Sequence, residues 1–308
     1  MRRKRTLVLL LIGLILFSVM AGSIGARPAK KAWRIVLTSD REGDSEVYSM
    51  NADGTRARRL TFSRGFDGGG PPSPDGRKIL YYSRAAWDGH RRGHKGDVFV
   101  MNADGSGKRD LTRNPAFDVP GSWSPDGQKI TFVSDRDGNN ELYVMNANGT
   151  AQRNLAPNPS SQEWGGAWTR DGRTIMFVSD RSGNWEIYSM NADGTKPRNL
   201  TRNPANDAGI SGLIGFALSP NGRKIAFAST RDTRDEQNPD MYVMNADGTG
   251  VRRLTRTPWV EAPFTWSPDD RKLAFFRFPV KPRWAFFVMK ADGSGVRKVN
   301  WSLPRRKP

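Results

Sequence analysis

Residues 123–155 read WSPDGQKITFVSDRDGNNELYVMNANGTAQRNL, and much of the chain consists of variations on this stretch. Lys129 to Ser134 and Glu141 to Met145 alternate apolar with polar residues, the period of a strand whose two faces differ. The Asp126-Gly127 and Asn148-Gly149 pairs supply the positive φ that tight hairpin turns require. The stretch therefore predicts a four-stranded antiparallel meander. Strand 1 ends at Trp123-Ser124-Pro125, strand 2 is the K-I-x-F-x-S run, strand 3 the E-L-Y-x-M run, and strand 4 the R-x-L-T run.

The MNADG-type string starts at Met50, Met101, Met145, Met190, Met244 and Met289, and the SPDG-type string at Ser73, Ser124, Thr169, Ser219 and Ser267. A single meander cannot bury two apolar faces, so the copies must stack around an axis. The expected fold is all-β, a six-bladed β-propeller of four-stranded antiparallel blades over residues 33–308. At these repeated strings the chain resembles the TolB-type, WD-repeat-related propeller family. The resemblance runs from Trp33 to Val299 and is to the propeller half of such proteins. It implies a binding role in a cell envelope and no chemistry of its own.

The first blade is expected to be incomplete. Counting 11 residues back from Ser39 reaches Pro28, and counting 12 forward from Val299 passes the last residue, Pro308. Blade 1 should then hold three strands, Trp33 to Ser39, Glu46 to Met50 and Arg58 to Thr61, with Trp301 of the tail tucked between the last and first blades.

Ahead of the repeats, Arg2, Arg3, Lys4 and Arg5 precede an uncharged run from Thr6 to Ala26. Residues 1–26 read as a signal peptide cut after Gly25 or Ala26, or as an N-terminal membrane anchor. As an anchor, residues 7–26 are just long enough to span a bilayer. Residues 27–32 form a short linker, and the propeller is expected outside the cytoplasm, periplasmic or extracellular. The chain has no cysteine, which rules out disulfides, lipid attachment through a lipobox and thiolate metal sites. It carries 49 Lys and Arg against 31 Asp and Glu, and without the four leading bases an excess of 14 remains. That charge attracts polyanions.

Repeat spacing separates two sets of connections. Strand 1 to the end of strand 2 always takes 11 residues, as from Trp123 to Ser134, and strand 3 to strand 4 always takes 12, as from Tyr48 to Leu60. The 2-3 loop instead spans 9 residues from Ser39 to Tyr48, 16 from Ser83 to Phe99 and 13 from Ser229 to Tyr242. The 4-1 connection takes 12 from Leu111 to Trp123 but 18 from Leu200 to Leu218. In a meander the variable connections share one end of the strands, so binding is expected on that face.

Two segments there are candidate sites. The loop Arg84 to Lys95 holds Trp87, His90, Arg91, Arg92, His94 and Lys95, a mixture suited to a polyanion or a sugar. It reads equally well as a solvated basic loop. His90 and His94 lack an acidic partner at a metal-ligand spacing, so no metal site is expected. The insertion Asn206 to Phe216 places Ile210, Leu213, Ile214 and Phe216 among Gly209, Gly212 and Gly215. It suits the channel mouth, a partner surface, or packing against a neighbouring blade.

Asp135-Arg136-Asp137-Gly138-Asn139 resembles an oxygen-rich calcium loop but lacks the later ligands and the bidentate Glu. The reading preferred is that Asp135 caps the turn while Arg136 lies against the next blade. No cofactor is expected, and calcium is the one candidate the residues suggest. The base pairs Arg58-Arg59, Lys108-Arg109, Arg252-Arg253 and Arg297-Lys298 fall on strand 4, where charge blocks edge-to-edge aggregation. Nucleic acid is therefore not needed to explain them.

No nucleophile with a base, open carboxylate pair or metal cluster can be assembled. The expected function is a monomeric, non-enzymatic envelope scaffold that binds a protein or an anionic polysaccharide. The alternative is a propeller lyase or hydrolase acting on a carbohydrate in the central channel.

Overall fold

The computed structural model describes residues 33–40, 42–84, 95–210, 213–233, 238–278 and 285–300. Blade 1 has three strands, Arg34–Ser39, Glu46–Asn51 and Arg58–Arg59. Blade 2 comprises Phe66–Pro72, Lys78–Arg84, Asp97–Asn102 and Arg109–Asp110. Blade 3 comprises Asp118–Trp123, Lys129–Ser134, Glu141–Asn146 and Arg153–Asn154. Blade 4 comprises Glu163–Trp168, Thr174–Ser179, Glu186–Asn191 and Arg198–Asn199. Blades 5 and 6 begin at Phe216–Leu218 and Val260–Trp266 and end at Arg252–Arg253 and Arg297–Lys298. Every sheet is an antiparallel meander in sequence order, so this is the six-bladed propeller with a three-stranded first blade that the repeats predict.

Alternation along each strand feeds two cores at once. In blade 2, Leu80, Val98 and Val100 pack with Trp123, Phe132 and Tyr143 of blade 3. Ile79, Tyr81 and Met101 point the other way and pack with Val36, Val47 and Leu60 of blade 1. Each fully buried side chain of this size contributes roughly 1.5–3 kcal/mol. The ring closes in the same manner, because Ile35, Leu37 and Tyr48 of blade 1 share a core with Phe264, Phe276 and Val288 of blade 6. Among the described residues, closure thus rests on side-chain packing between blades 1 and 6. The predicted seat of Trp301 lies outside the described residues.

The constant turns are where neighbouring blades interlock. In the 3-4 turns, Gly105, Gly149, Gly194 and Gly248 have φ between +87° and +96°, and each faces the carbonyl oxygen of the strand 4 leucine one blade earlier. Those leucines are Leu60, Leu111, Leu155 and Leu200. Arg153, Arg198 and Arg252, also on strand 4, donate to the carbonyls of Asp193, Asp247 and Asp292 in the next blade's turn. Across the closing junction, hydrogen bonds from the Thr55 hydroxyl and backbone hold the Asp53 carboxyl below its usual range, and Arg297 of blade 6 adds to this.

The R-x-L-T run has a specific use. Its threonine hydroxyl accepts the backbone N–H of strand 3, as from Val47 to Thr61, Val98 to Thr112, Ile187 to Thr201 and Met241 to Thr255. This extends the ladder beyond the short fourth strand with a side chain in place of a carbonyl.

One expectation needs correction. The extra residues of blade 5 do not lengthen the 4-1 connection, because Asp207 pairs with Ser229 just as Glu163 pairs with Ser179 in blade 4. They interrupt strand 1 itself. Between Ala208 and Gly215 the chain makes a small hairpin, with Gly209 opposite Ile214 and Ile210 opposite Leu213. Gly215 N–H donates to Ala208 and Ala228 N–H to Gly215, closing its root. The first strands of blades 2, 3, 4 and 6 carry a bulge one pair further along, so the hairpin interrupts strand 1 next to the place where the other blades bulge.

Candidate binding face

Strand 1 is the innermost strand, since the first strands of adjacent blades converge on one another. A Cβ at Gly121 would lie 2.7 Å from the Gly165 carbonyl oxygen, and one at Gly165 would lie 2.9 Å from the Phe216 ring. At the variable end of these strands sits a belt of buried acids, Asp67, Asp118, Glu163, Asp207 and Glu261, each at most 1% exposed. A second belt, Glu46, Asp97, Glu141, Glu186 and Asp240, begins strand 3.

The inner acids hold arginines from the end of strand 2. Arg136 pairs with Asp118 at 3.3 Å, Arg181 with Glu163 at 3.0 Å, Arg231 with Asp207 at 2.6 Å and Arg277 with Glu261 at 2.6 Å. Each guanidinium also lies over two aromatic rings of its own blade, as Arg136 does over Phe132 and Tyr143. The expectation that Arg136 lies against the next blade is thus overturned: the acid of its own first strand and its own aromatic pair draw it inward. Arg59 and Arg253 likewise turn to Glu46 and Asp240, so only the first base of those strand 4 pairs stands at the exposed edge.

Burial dominates the electrostatics. It raises the Glu163 carboxyl above the usual range against hydrogen bonds from Ser161, Ser179 and Arg181. It pushes Asp207 to about 6 despite Arg231. Among the described residues, Glu163 Oε2, Asp207 Oδ1 and Glu261 Oε2 receive no hydrogen bond, so these carboxylates are only half satisfied. The outer acids are tied to the chain that follows, with Glu141 accepting from the Asn158 N–H and Glu186 from the Asn203 N–H. These groups hold the sheet ends together and are engaged by structural partners.

The oxygen-rich loop of blade 3 is similarly occupied. Asp135 accepts from the Phe117 N–H and from Lys95, Asp137 accepts from Tyr143 and Asn154, and Asn139 donates to the carbonyls of Asn158 and Ser161. Among the described residues no group of three or more acids and histidines is placed to hold a metal ion.

Of the predicted site residues, Trp87, His90, Arg91, Arg92 and His94 lie outside the described residues. Lys95 ends that loop with Nζ 2.5 Å from Asp135, while its carbonyl accepts the Tyr82 hydroxyl at 2.6 Å. Burial pushes Tyr82 up to about 12. Ile210 and Leu213 oppose each other in the blade 5 hairpin, which branches from the channel-lining strand. Phe216 is buried between blades 4 and 5 and serves packing. The two candidate segments belong to blades 2 and 5, opposite members of the six-bladed ring.

The structure adds a feature that sequence reading missed. Phe66, Tyr82, Phe117 and Trp164 form a row across blades 2 to 4, with ring centroids 5.8, 5.6 and 6.2 Å apart. Phe66, Phe117 and Trp164 are partly exposed. Each is the sequence neighbour of an inner-belt acid, Asp67, Asp118 and Glu163, and that adjacency was the available signal.

Fold and face together define a six-bladed β-propeller whose aromatic row and variable loops share one end. The family described as the TolB beta propeller domain matches residues 83–156. The chain is 37% identical over 97 residues to the Tol-Pal system protein TolB of Anaeromyxobacter dehalogenans (strain 2CP-C), covering 30% of this chain and 20% of that protein. It thus spans about a fifth of that relative's length. TolB from Acinetobacter baumannii superposes with a TM-score of 0.69 at 21% identity over 86% of this chain and 63% of that one. A putative TolB from Agrobacterium tumefaciens gives 0.66 at 20% identity over 88% and 89%. The chain is a six-bladed β-propeller that is similar to TolB, and the likeness lies in the propeller part.

Proposed function

We propose that this propeller is a non-enzymatic binding scaffold of the cell envelope, engaging a protein or an anionic glycopolymer through its variable face. The aromatic row carries the reading, because Phe66, Phe117 and Trp164, partly exposed and backed by the buried Tyr82, offer stacking to sugar rings or peptide side chains. Likeness to Tol-Pal system proteins supports the envelope setting. The buried acids support a scaffold over a hydrolase, since Arg, Ser and Thr groups already engage them.

Affinity capture from envelope extract tests it. The wild type should retain a partner that is lost on Trp164→Ala and on trimming Arg84–Lys95 to the short-loop length, with melting temperature nearly unchanged after trimming. Protease treatment of the extract separates protein from glycopolymer. Equal capture by both variants would place binding on another surface.

A further inference from the structure

The face opposite the loops has its own pattern. Strand 2 starts there in every blade, and in blades 1, 2, 3, 5 and 6 its first residue is an exposed base: Arg34, Lys78, Lys129, Lys224 and Lys272. Blade 4 has Thr174 at that place, directly after the exposed Arg173. The cations thus form a ring with one member per blade.

The ring is rigid and level. Its 1-2 turns touch one another, with a Cβ at Gly127 falling 3.8 Å from Pro74, one at Gly172 falling 3.7 Å from Pro125, and Asn221 N–H donating to Asp270 at 3.1 Å. Because every turn on this face has the same length, none rises above the others. Asp75, Asp126, Asp171 and Asp269 accept from their own turn's hydroxyl, which lowers their carboxyls and keeps them ionised, so the cations of this face, with the exposed Arg77, Arg223 and Arg271 beside the ring, act against these turn acids. The Lys129 and Lys224 ammonium groups donate to the amide oxygens of Asn146 and Asn245, and among the described residues neither forms a salt bridge, although Lys129 is near enough to help lower the Asp126 carboxyl.

Independently of charge, the chain enters the propeller from this face, since Trp33 precedes the first residue of a second strand. The six residues before it, 27–32, include Arg27, Lys30 and Lys31 and reach at most about 20 Å from the apolar run. From these observations we propose that the constant face is a docking surface for an anionic lipid bilayer, which leaves the variable face directed away from the membrane. A level ring of cations matches a plane of lipid phosphates better than it matches a single curved polymer chain. This inference does not rest on the binding function proposed for the other face.

The test uses the protein as exported, with whatever leader processing the cell performs, and sedimentation with phosphatidylcholine vesicles with and without phosphatidylglycerol. Anionic vesicles should take up more protein, and the excess should vanish at high salt. Each cation removed should weaken the excess about five-fold, so Lys78→Ser/Lys224→Ser/Lys272→Ser should lower it on the order of 100-fold. Lys272→Ser alone should show the single step, while Arg202→Ser on the variable face should bind as wild type. Equal uptake by neutral and anionic vesicles, a triple variant binding as wild type, or capture of soluble dextran sulfate without vesicle binding would each overturn the proposal.

Discussion

The two ends of this propeller use acidic residues in opposite ways. On the constant face Asp53, Asp104, Asp193 and Asp247 sit in exposed turns, where hydrogen bonds from the neighbouring Thr or Ser lower their carboxyls. On the variable face Asp67, Glu163 and Asp207 are buried, and loss of solvent raises theirs. Glycines differ in parallel. Those of the 3-4 turns press against the previous blade, whereas Gly43, Gly138 and Gly183 of the 2-3 loops face open space. One end transmits contact from blade to blade through its turns, whereas at the other the buried inner acids Asp118, Glu163, Asp207 and Glu261 pair with arginines of their own blade.

The largest break in this contrast should come from Gly194→Ala. The new Cβ would overlap the Leu155 carbonyl oxygen at φ +96°, and backbone cannot yield as a flexible side chain can. Loss of about 4 kcal/mol is expected, read as a lowered denaturant midpoint. The matching change at Gly138, with φ +107° and no neighbour, should cost only about 1 kcal/mol. Similar losses at the two sites would dissolve the distinction between faces.

Arg181→Met leaves the Glu163 carboxylate buried without its counter-ion. A destabilisation of about 3 kcal/mol at neutral pH follows, and it should shrink on acidification as Glu163 takes a proton. A deficit independent of pH would show that Arg181 acts through packing on Phe177 and Tyr188 instead.

Asp207 should give a smaller effect of unusual sign. Its folded carboxyl, at about 6, holds a proton more tightly than the unfolded value of 3.8, so its contribution to stability grows as pH falls from above 6 towards 4. The size is about 2 kcal/mol, and Asp207→Asn should abolish this part of the pH profile. Melting temperatures of both proteins across that range decide it.

Gly127→Val probes the constant face at a turn rather than at a blade contact. Its φ is +71° and the nearest atom, in Pro74, would be 3.8 Å from the new Cβ, so strain acts with little clash. About 1–2 kcal/mol of lost stability is expected, measurable as a modest fall in melting temperature.

Much of this architecture was legible because it is local. Asp-Gly and Asn-Gly pairs marked turns that the structure shows at positive φ, from Gly76 and Gly127 to Gly149 and Gly293. Blade 1 was readable from the same repeat register, which placed three strands where the structure has Arg34–Ser39, Glu46–Asn51 and Arg58–Arg59. The blade 5 insertion was misplaced for a traceable reason. Its length was counted from Leu200, whereas the inner acid precedes the end of strand 1 by 5 residues at Asp118 and Trp123 but by 11 at Asp207 and Leu218. Counted from the acid, the sequence itself locates the hairpin inside the strand.

What the sequence alone determined is whatever repeats at short range: the number of blades, the order of their strands, the constant turns and the face on which length varies. Only the tertiary structure decided which side chains meet between blades. Phe66 and Trp164 are 98 residues apart in the chain, yet they terminate one row of rings, because first strands separated in sequence converge on a common axis. Strand periodicity tells a residue which face of its sheet to take. What lies opposite that face depends on the angle at which the next blade closes, and no local pattern of residues encodes that angle.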